Sequence, residues 1–230
     1  MKQPCLHRPR GGFTLIELLV VMTIMAILLA LGTAAMRNVG GTGVSTAVAQ
    51  AEAWFSEARA LAMGQSTHSR VLIDIDDAES DNYLRRVVIV SQPLDEDGMP
   101  QDGQWSLARE GFLLPNGIYF SRRFSHRHHG EGTGQLDEMT LSGVSSFYEG
   151  RYLYYEFNAE GICTTGRTGE GGYSGPGFVV ASGVRDPGGD PRTTGDARRN
   201  FGGFVIWRNG STSIFRDPGQ IIGNTEPTDF

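Results

Sequence analysis

A single carboxylate, Glu17, stands at the head of nineteen consecutive uncharged residues, 18–36. An acidic side chain near the end of a membrane-embedded helix costs about 2.5 kcal/mol or more on insertion scales, and less close to an interface. A residue kept at that cost usually has a cationic partner, so the chemistry expected of Glu17 is ion pairing inside an apolar environment. It follows Gly11-Gly12-Phe13-Thr14-Leu15-Ile16, and a short leader carrying Lys2, Arg8 and Arg10 precedes both.

Other groups invite chemistry less strongly. Arg122-Arg123-Phe124-Ser125-His126-Arg127-His128-His129 is the densest cationic run. His126 with His128 or His129 has the donor atoms for a metal, but no second ligand set follows at a recognisable spacing. The neighbouring arginines oppose a cation, so the run reads as a solvated loop. Two acidic groups, Asp74/Asp76/Asp77/Glu79/Asp81 and Asp95/Glu96/Asp97/Asp102, offer oxygen ligands without the order of a calcium loop and read as solvated turns. Cys5 lies in the leader, and Cys163 is a lone thiol in a strand–turn, a setting in which cysteine is usually inert. Neither a G-x-S-x-G elbow nor a P-loop, an H-E-x-x-H pair or a dinucleotide fingerprint occurs. The expectation is a non-enzymatic chain without cofactor or bound metal.

The element that must position Glu17 is the apolar segment itself. Residues 13–36 would extend about 36 Å as a helix, enough for a hydrocarbon core of roughly 30 Å. Lys2, Arg8 and Arg10 precede it and Arg37 alone follows closely, so the positive-inside bias keeps the leader cytoplasmic and sends the rest outward. Gly40-Gly41-Thr42-Gly43 is expected to interrupt the helix, each glycine costing about 1 kcal/mol relative to alanine. From Ser45 to Met63 the pattern is amphipathic, with Val44, Val48, Ala51, Phe55, Ala58 and Ala62 on one face and Gly64 as the stop.

Strands follow. Residues 68–76 alternate, with Val71, Ile73 and Ile75 opposite Arg70, Leu72 and Asp74, and 83–91 forms a hairpin with them across a polar turn. Shorter strands are expected at 104–108, 118–124 and 139–147, then an aromatic one at 151–157. Residues 161–203 read as glycine-rich loops around one strand, 178–182. A last hairpin, 204–207 with 213–216, turns at Asn209-Gly210. The predicted fold is α+β: a long N-terminal transmembrane and amphipathic helix packed on an antiparallel β-sheet domain.

The order Gly12-Phe13-Thr14-Leu15-Ile16-Glu17 ahead of an apolar helix resembles the N-terminal signature of type IV pilins and type II secretion pseudopilins. Ala58-Arg59-Ala60-Leu61-Ala62 and the Tyr155-Glu156-Phe157-Asn158-Ala159-Glu160-Gly161 strand–turn further resemble the H-type minor pseudopilins and related minor pilins. The resemblance implies a prepilin leader, 1–12; a transmembrane, filament-core helix, 13–39; a glycine hinge with the amphipathic half of the helix, 40–64; and an extracytoplasmic β-rich domain, 65–230. It implies cleavage between Gly12 and Phe13 by a prepilin peptidase, and N-methylation of Phe13. Partners would be other pilins or pseudopilins, an inner-membrane assembly platform and lipid. The chain would sit single-pass in the inner membrane, then in a filament.

Cleavage there would free an α-amino group whose ordinary pKa near 7.7–8.0 leaves it mostly cationic at neutral pH. Glu17, then the fifth residue, could pair with that amine on a neighbouring subunit and set the axial register. Losing Lys2, Arg8 and Arg10 would take the formal charge from −6 to −9, an acidity that disfavours nucleic acid. Arg192, Arg198, Arg199, Arg208 and Arg216 could still cluster, but Gly210-Ser211-Thr212-Ser213 lacks the arginines of DNA-binding minor pilins. The alternatives are a minor pilin for DNA uptake or adhesion, and a signal-anchored binding or enzymatic domain. A secretory signal cleaved near Ala30-Leu31-Gly32 leaves Glu17 without a purpose.

Overall fold

A computed structural model describes residues 15–37, 39–169, 172–193, 200–215 and 220. The chain divides between Val39 and Gly40 into two compact units, each considered by itself.

In the first unit, helix α1 spans Leu15–Arg37 and carries Glu17 in its first turn. Every side chain from Leu15 to Ala26 is exposed, including Leu15 at 83% and Met22 at 67%. Branched and unbranched apolar residues occupy all sides, so no stripe directs one face inward. The polar exception, Thr23, donates its hydroxyl to the Leu19 carbonyl one turn back and so satisfies itself within the helix. No helix among the described residues is long and apolar enough to cross a membrane.

The second unit is built around α2, Val39–Gln65. The expected interruption does not occur: α2 starts at Val39 and runs through Gly40, Gly41 and Gly43. Helix propensity is overridden by packing: Gly43 lies against Ile118 of β4, where even a Cβ would make only ordinary contact at 3.4 Å. The expected face is the buried one. Val44, Ala51, Phe55, Ala58 and Ala62 are each at most 4% exposed. The helix ends beyond Gly64 in a Schellman cap: Thr67 N–H bonds Ala62 O at 3.0 Å and Ser66 N–H bonds Met63 O at 3.4 Å, with Ser66 left-handed at φ 52°.

Two antiparallel sheets meet beneath α2. The first comprises β1 (Ser69–Asp74), β2 (Arg86–Ser91), β3 (Ser106–Leu113), β5 (Glu138–Leu141) and β6 (Gly150–Phe157) in the order β3-β2-β1-β6-β5. The second comprises β4 (Ile118–Phe120), β9 (Gly177–Ser182), β10 (Phe201–Ile206) and β11 (Thr212–Phe215) in the order β11-β10-β9-β4. A short ribbon pairs β7 (Arg167–Gly169) with β8 (Gly172–Ser174). Phe120 N–H bonds Leu84 O at 2.8 Å and Cys163 N–H bonds Arg208 O at 3.0 Å, joining the sheets at two places.

The β1–β2 hairpin forms in the register Ser69↔Ser91 to Ile73↔Val87. Its alternation is as read: Val71, Ile73 and Ile75 enter the main core under α2, whereas Leu72 joins Val88, Val90, Leu141 and Tyr152 on the outer face. The expected strand at 104–108 is longer, and those at 118–124 and 139–147 are shorter. Residues 161–203 hold more pairing than expected, since β7, β8 and the first half of β10 fall there. The last hairpin pairs Ile206↔Thr212, so its connection spans residues 207–211 rather than two. Trp207 N–H bonds Ser211 O, and Gly210 N–H bonds Trp207 O, each at 2.8 Å.

Phe55 is the centre of the core. Its ring lies 5.0 Å from Tyr155 and 6.3 Å from Phe157 of the first sheet. It lies 5.4 Å from Phe178 and 5.1 Å from Phe204 of the second. All four pairs are edge-to-face, the arrangement the ring quadrupole favours. Alanines one turn either side let α2 approach closely enough for this contact.

Candidate functional site

Glu17 is the one expected site residue the structure describes; Gly12 and Phe13 lie outside the described residues. Glu17 occupies the first turn of α1, where the positive end of the helix dipole favours a carboxylate. It is exposed, as are the apolar residues around it. A carboxylate at the tip of an uncovered apolar helix can do two things chemically. It can accept hydrogen bonds from nearby backbone N–H groups, and it can pair with a cation as the helix is buried.

The polar attachments of α2 fix how the domain sits on its helix. Glu57 pairs with Arg109 of β3 at 2.6 Å, and Glu52 accepts the Thr212 hydroxyl of β11 at 2.5 Å. Ser69 donates to the buried Ala58 carbonyl at 2.7 Å. Arg59, within the Ala58–Ala62 element, donates through Nε to Gly161 O at 3.2 Å. It lies against two left-handed glycines, Gly161 (φ +73°) and Gly210 (φ +75°); a Cβ on Gly210 would stand 2.5 Å from Arg59 Cδ. The arginine thus clasps the turn after β6 to the turn after β10. Sequence alone marks Arg59 only through family resemblance, because its partners lie about 100 and 150 residues away.

The structure disperses the other clusters. Asp74 is buried and pairs with Arg86 at 3.6 Å, and it accepts Asp76 N–H at 3.0 Å. Burial pushes its carboxyl up from the usual range, against the smaller opposing effects of that hydrogen bond and Arg86. Asp76 pairs with Arg151, and Asp77 accepts Glu79 N–H. Asp95 accepts both Asp97 N–H and Met99 N–H, so its carboxylate shapes its own turn. Among the described residues no three His, Cys, Asp or Glu side chains converge to hold a metal ion. Arg192 pairs with Asp186 at 3.0 Å, and Arg208 is exposed; Arg198, Arg199 and Arg216 lie outside the described residues. Cys163 is 1% exposed, within the main core.

The run 122–129 is not the solvated loop expected. Arg122 pairs with Glu138 and Arg127 with Asp137, but His129 is only 8% exposed. The sequence hides this, since histidines interspersed with arginines carry no apolar period.

A groove of about 400 Å³ lies between the end of α2 (Leu61, Gln65), residues 91–94 and the start of β3. Its one charged lining residue, Arg109, is already paired with Glu57.

Residues 7–33 match the family model described as the prokaryotic N-terminal methylation motif. The match spans Gly12, Phe13 and Glu17, and bears out the resemblance of this N-terminus to type IV pilin-like chains. No curated protein matches the chain. Two solved structures of the minor pseudopilin EpsH from the Type 2 Secretion System of Vibrio cholerae are similar at 11% identity, with TM-scores of 0.43 and 0.39. Each covers 76% of this chain, and the alignments cover 97% and 95% of theirs. Nothing about this chain's role follows from likenesses that distant.

Proposed function

From an N-terminus of the type IV pilin-like kind, we infer that this chain is a structural subunit of a pilin-like filament, a minor pseudopilin of a type II secretion pseudopilus or a minor pilin. The observation that carries the reading is the methylation motif at residues 7–33, running into a helix that is apolar on every described side. A peptidase cuts between Gly12 and Phe13 and the new amine is methylated. Residues 13–39 are held in the inner membrane until assembly, with the leader cytoplasmic and the β-domain outside. In the filament, α1 side chains exchange lipid for the helices of other subunits.

Glu17 has a definite task in that exchange. Its carboxylate meets the cationic Phe13 amine of a neighbour, and each relieves the other's desolvation cost. Because the pair forms only at one axial offset, it selects the register in which subunits add. The inner-membrane assembly platform receives the subunit, and the motion comes from an assembly ATPase.

The test is the mature N-terminus of the membrane-extracted protein, read by mass spectrometry. A methylated Phe13 is expected; an intact leader or cleavage near Gly32 ends the reading. Glu17→Ala should still be cut, because the scissile bond lies four residues away, yet fail to enter filaments. Normal incorporation of that variant would remove the pairing mechanism while leaving processing untouched.

A further inference from the structure

Residues 121–134 of the loop joining β4 to β5 lie over the outer face of the second sheet. Phe124, Val179, Ala181, Phe201 and Phe215 form a separate apolar cluster on that face. The loop's start is bolted down without any titratable group. Ser121 N–H bonds Val179 O at 2.9 Å, and Ser125 Oγ accepts Val179 N–H at 3.0 Å.

Its second half is fastened differently. The His129 ring stacks on Phe215 of the edge strand β11, centroids 5.3 Å apart and planes at 17°. Its Nδ1 also comes so close to Gly177 that a Cβ there would lie 2.7 Å away. His129 N–H bonds Gly175 O at 3.0 Å, and Gly177 N–H bonds His126 O at 2.8 Å. The ring also hydrogen-bonds the main chain of Gln220, beyond β11. The imidazole thus touches Gly177 at the start of β9, Phe215 at the end of β11 and Gln220, alongside two main-chain bonds that hold the loop to residues 175–177.

We propose that His129, with His126 beside it, is an acid-released latch that holds residues 126–134 over the outer apolar face of the second sheet. Among the described residues no carboxylate is ion-paired with the His129 ring, so protonating it puts a charge into a buried, apolar contact. Among the described residues, the groups that the packed elements turn toward it are Gly175, Gly177, Phe215 and the Gln220 backbone. Its own turn brings His128 and Glu131, and Glu131 Oε2 accepts the Thr133 hydroxyl at 3.4 Å. Arg127 points its guanidinium to Asp137, and Arg123 lies over Phe124. A charge on His129 opposes one on His126.

Burial lowers the His129 affinity for a proton, against a smaller opposing effect of the Gln220 hydrogen bond. For His126, burial lowers it first and His129 second. The sign follows: both rings are neutral in the closed state, so the latch is stable above the ordinary histidine value of about 6.5 and weakens as pH falls below it. Opening bares Phe215 on a sheet edge and the apolar face beside it, an exposed patch of the sort that partners use. The proposal stands apart from the filament reading, and its test needs no filament.

Hydrogen exchange of the full chain in detergent micelles, at pH 7.5 and 5.0 and corrected for intrinsic rates, reads the latch directly. Amides of residues 126–134 should lose protection at pH 5.0 relative to pH 7.5, while β1 and β6 stay protected. His129→Gln keeps a donor for the Gln220 carbonyl but cannot charge, so most of the pH dependence of its protection should disappear, leaving only the part due to His126. Equal protection of wild type at both pH values overturns the proposal, as does an unchanged acid response in His129→Gln. If that variant does not fold, the ring titration of wild-type His129 by NMR decides: an ordinary or raised value overturns the latch, and a depressed one upholds it.

Discussion

Phe55→Ala tests the claim that one side chain joins the two sheets to the helix. Phe55 is 1% exposed and meets four rings, two from each sheet, at centroid distances of 5.0, 6.3, 5.4 and 5.1 Å. Removing a buried phenyl ring costs about 3–5 kcal/mol, set by how far the surroundings collapse into the space. Collapse is restricted here, because the four partner rings belong to β6, β9 and β10, whose backbones are fixed by ladders on both sides. Edge-to-face pairs add about 0.5–1.5 kcal/mol each beyond area, so the expected loss is at the upper end, roughly 4–5 kcal/mol. A domain of this size loses about 2–4 °C in melting temperature per kcal/mol, so the midpoint should fall by roughly 8–20 °C. Urea unfolding of the chain from Gly40 onward, followed by tryptophan fluorescence and far-UV circular dichroism, measures the change. Trp54→Ala is the internal control: its ring is half-buried and meets Phe112 at 5.3 Å, at the flank of the same core. A Phe55→Ala loss below about 2 kcal/mol, or one no larger than that of Trp54→Ala, would falsify the reasoning that a single seam holds the fold.

Three further outcomes are expected. Gly202→Ala places a Cβ 2.9 Å from Val44 Cγ1 and 3.3 Å from Val48 Cγ2. It should therefore cost about 1–3 kcal/mol, and Val44→Ala in the same chain should recover much of that in a double-mutant cycle. Asp74 has a carboxyl raised by burial, so its contribution is fully present below the ordinary value of 3.8 and is lost as pH rises through the raised one. The stability-versus-pH curve should lose that downward step in Asp74→Asn, and a step surviving there would assign it to another group. Cys163, 1% exposed in the core, should react with a thiol reagent only as fast as the domain opens, so native-state labelling at the rate of a free thiol would contradict its placement.

The sequence by itself determined the linear features: the N-terminal methylation motif, the α1 apolar run, the α2 buried face and the β1 alternation. Each is written in neighbouring residues, since side chains three or four apart share a helix face and those two apart share a strand face. It also located the Asn209-Gly210 turn, because that pair tolerates left-handed backbone. Tertiary structure decided what depends on distant partners. Gly43 stays helical where α2 packs against Ile118, and β7 and β8 pair where glycine alone suggested loops. Arg59 earns a role only when Gly161 and Gly210 come to it, and His129 is buried only because Phe215 and Gly177 close over it. Glu17 marks the boundary between the two. Its chemistry is legible in the chain, whereas Asp74, one acid among several in its stretch of sequence, becomes special only through the burial that folding imposes on it.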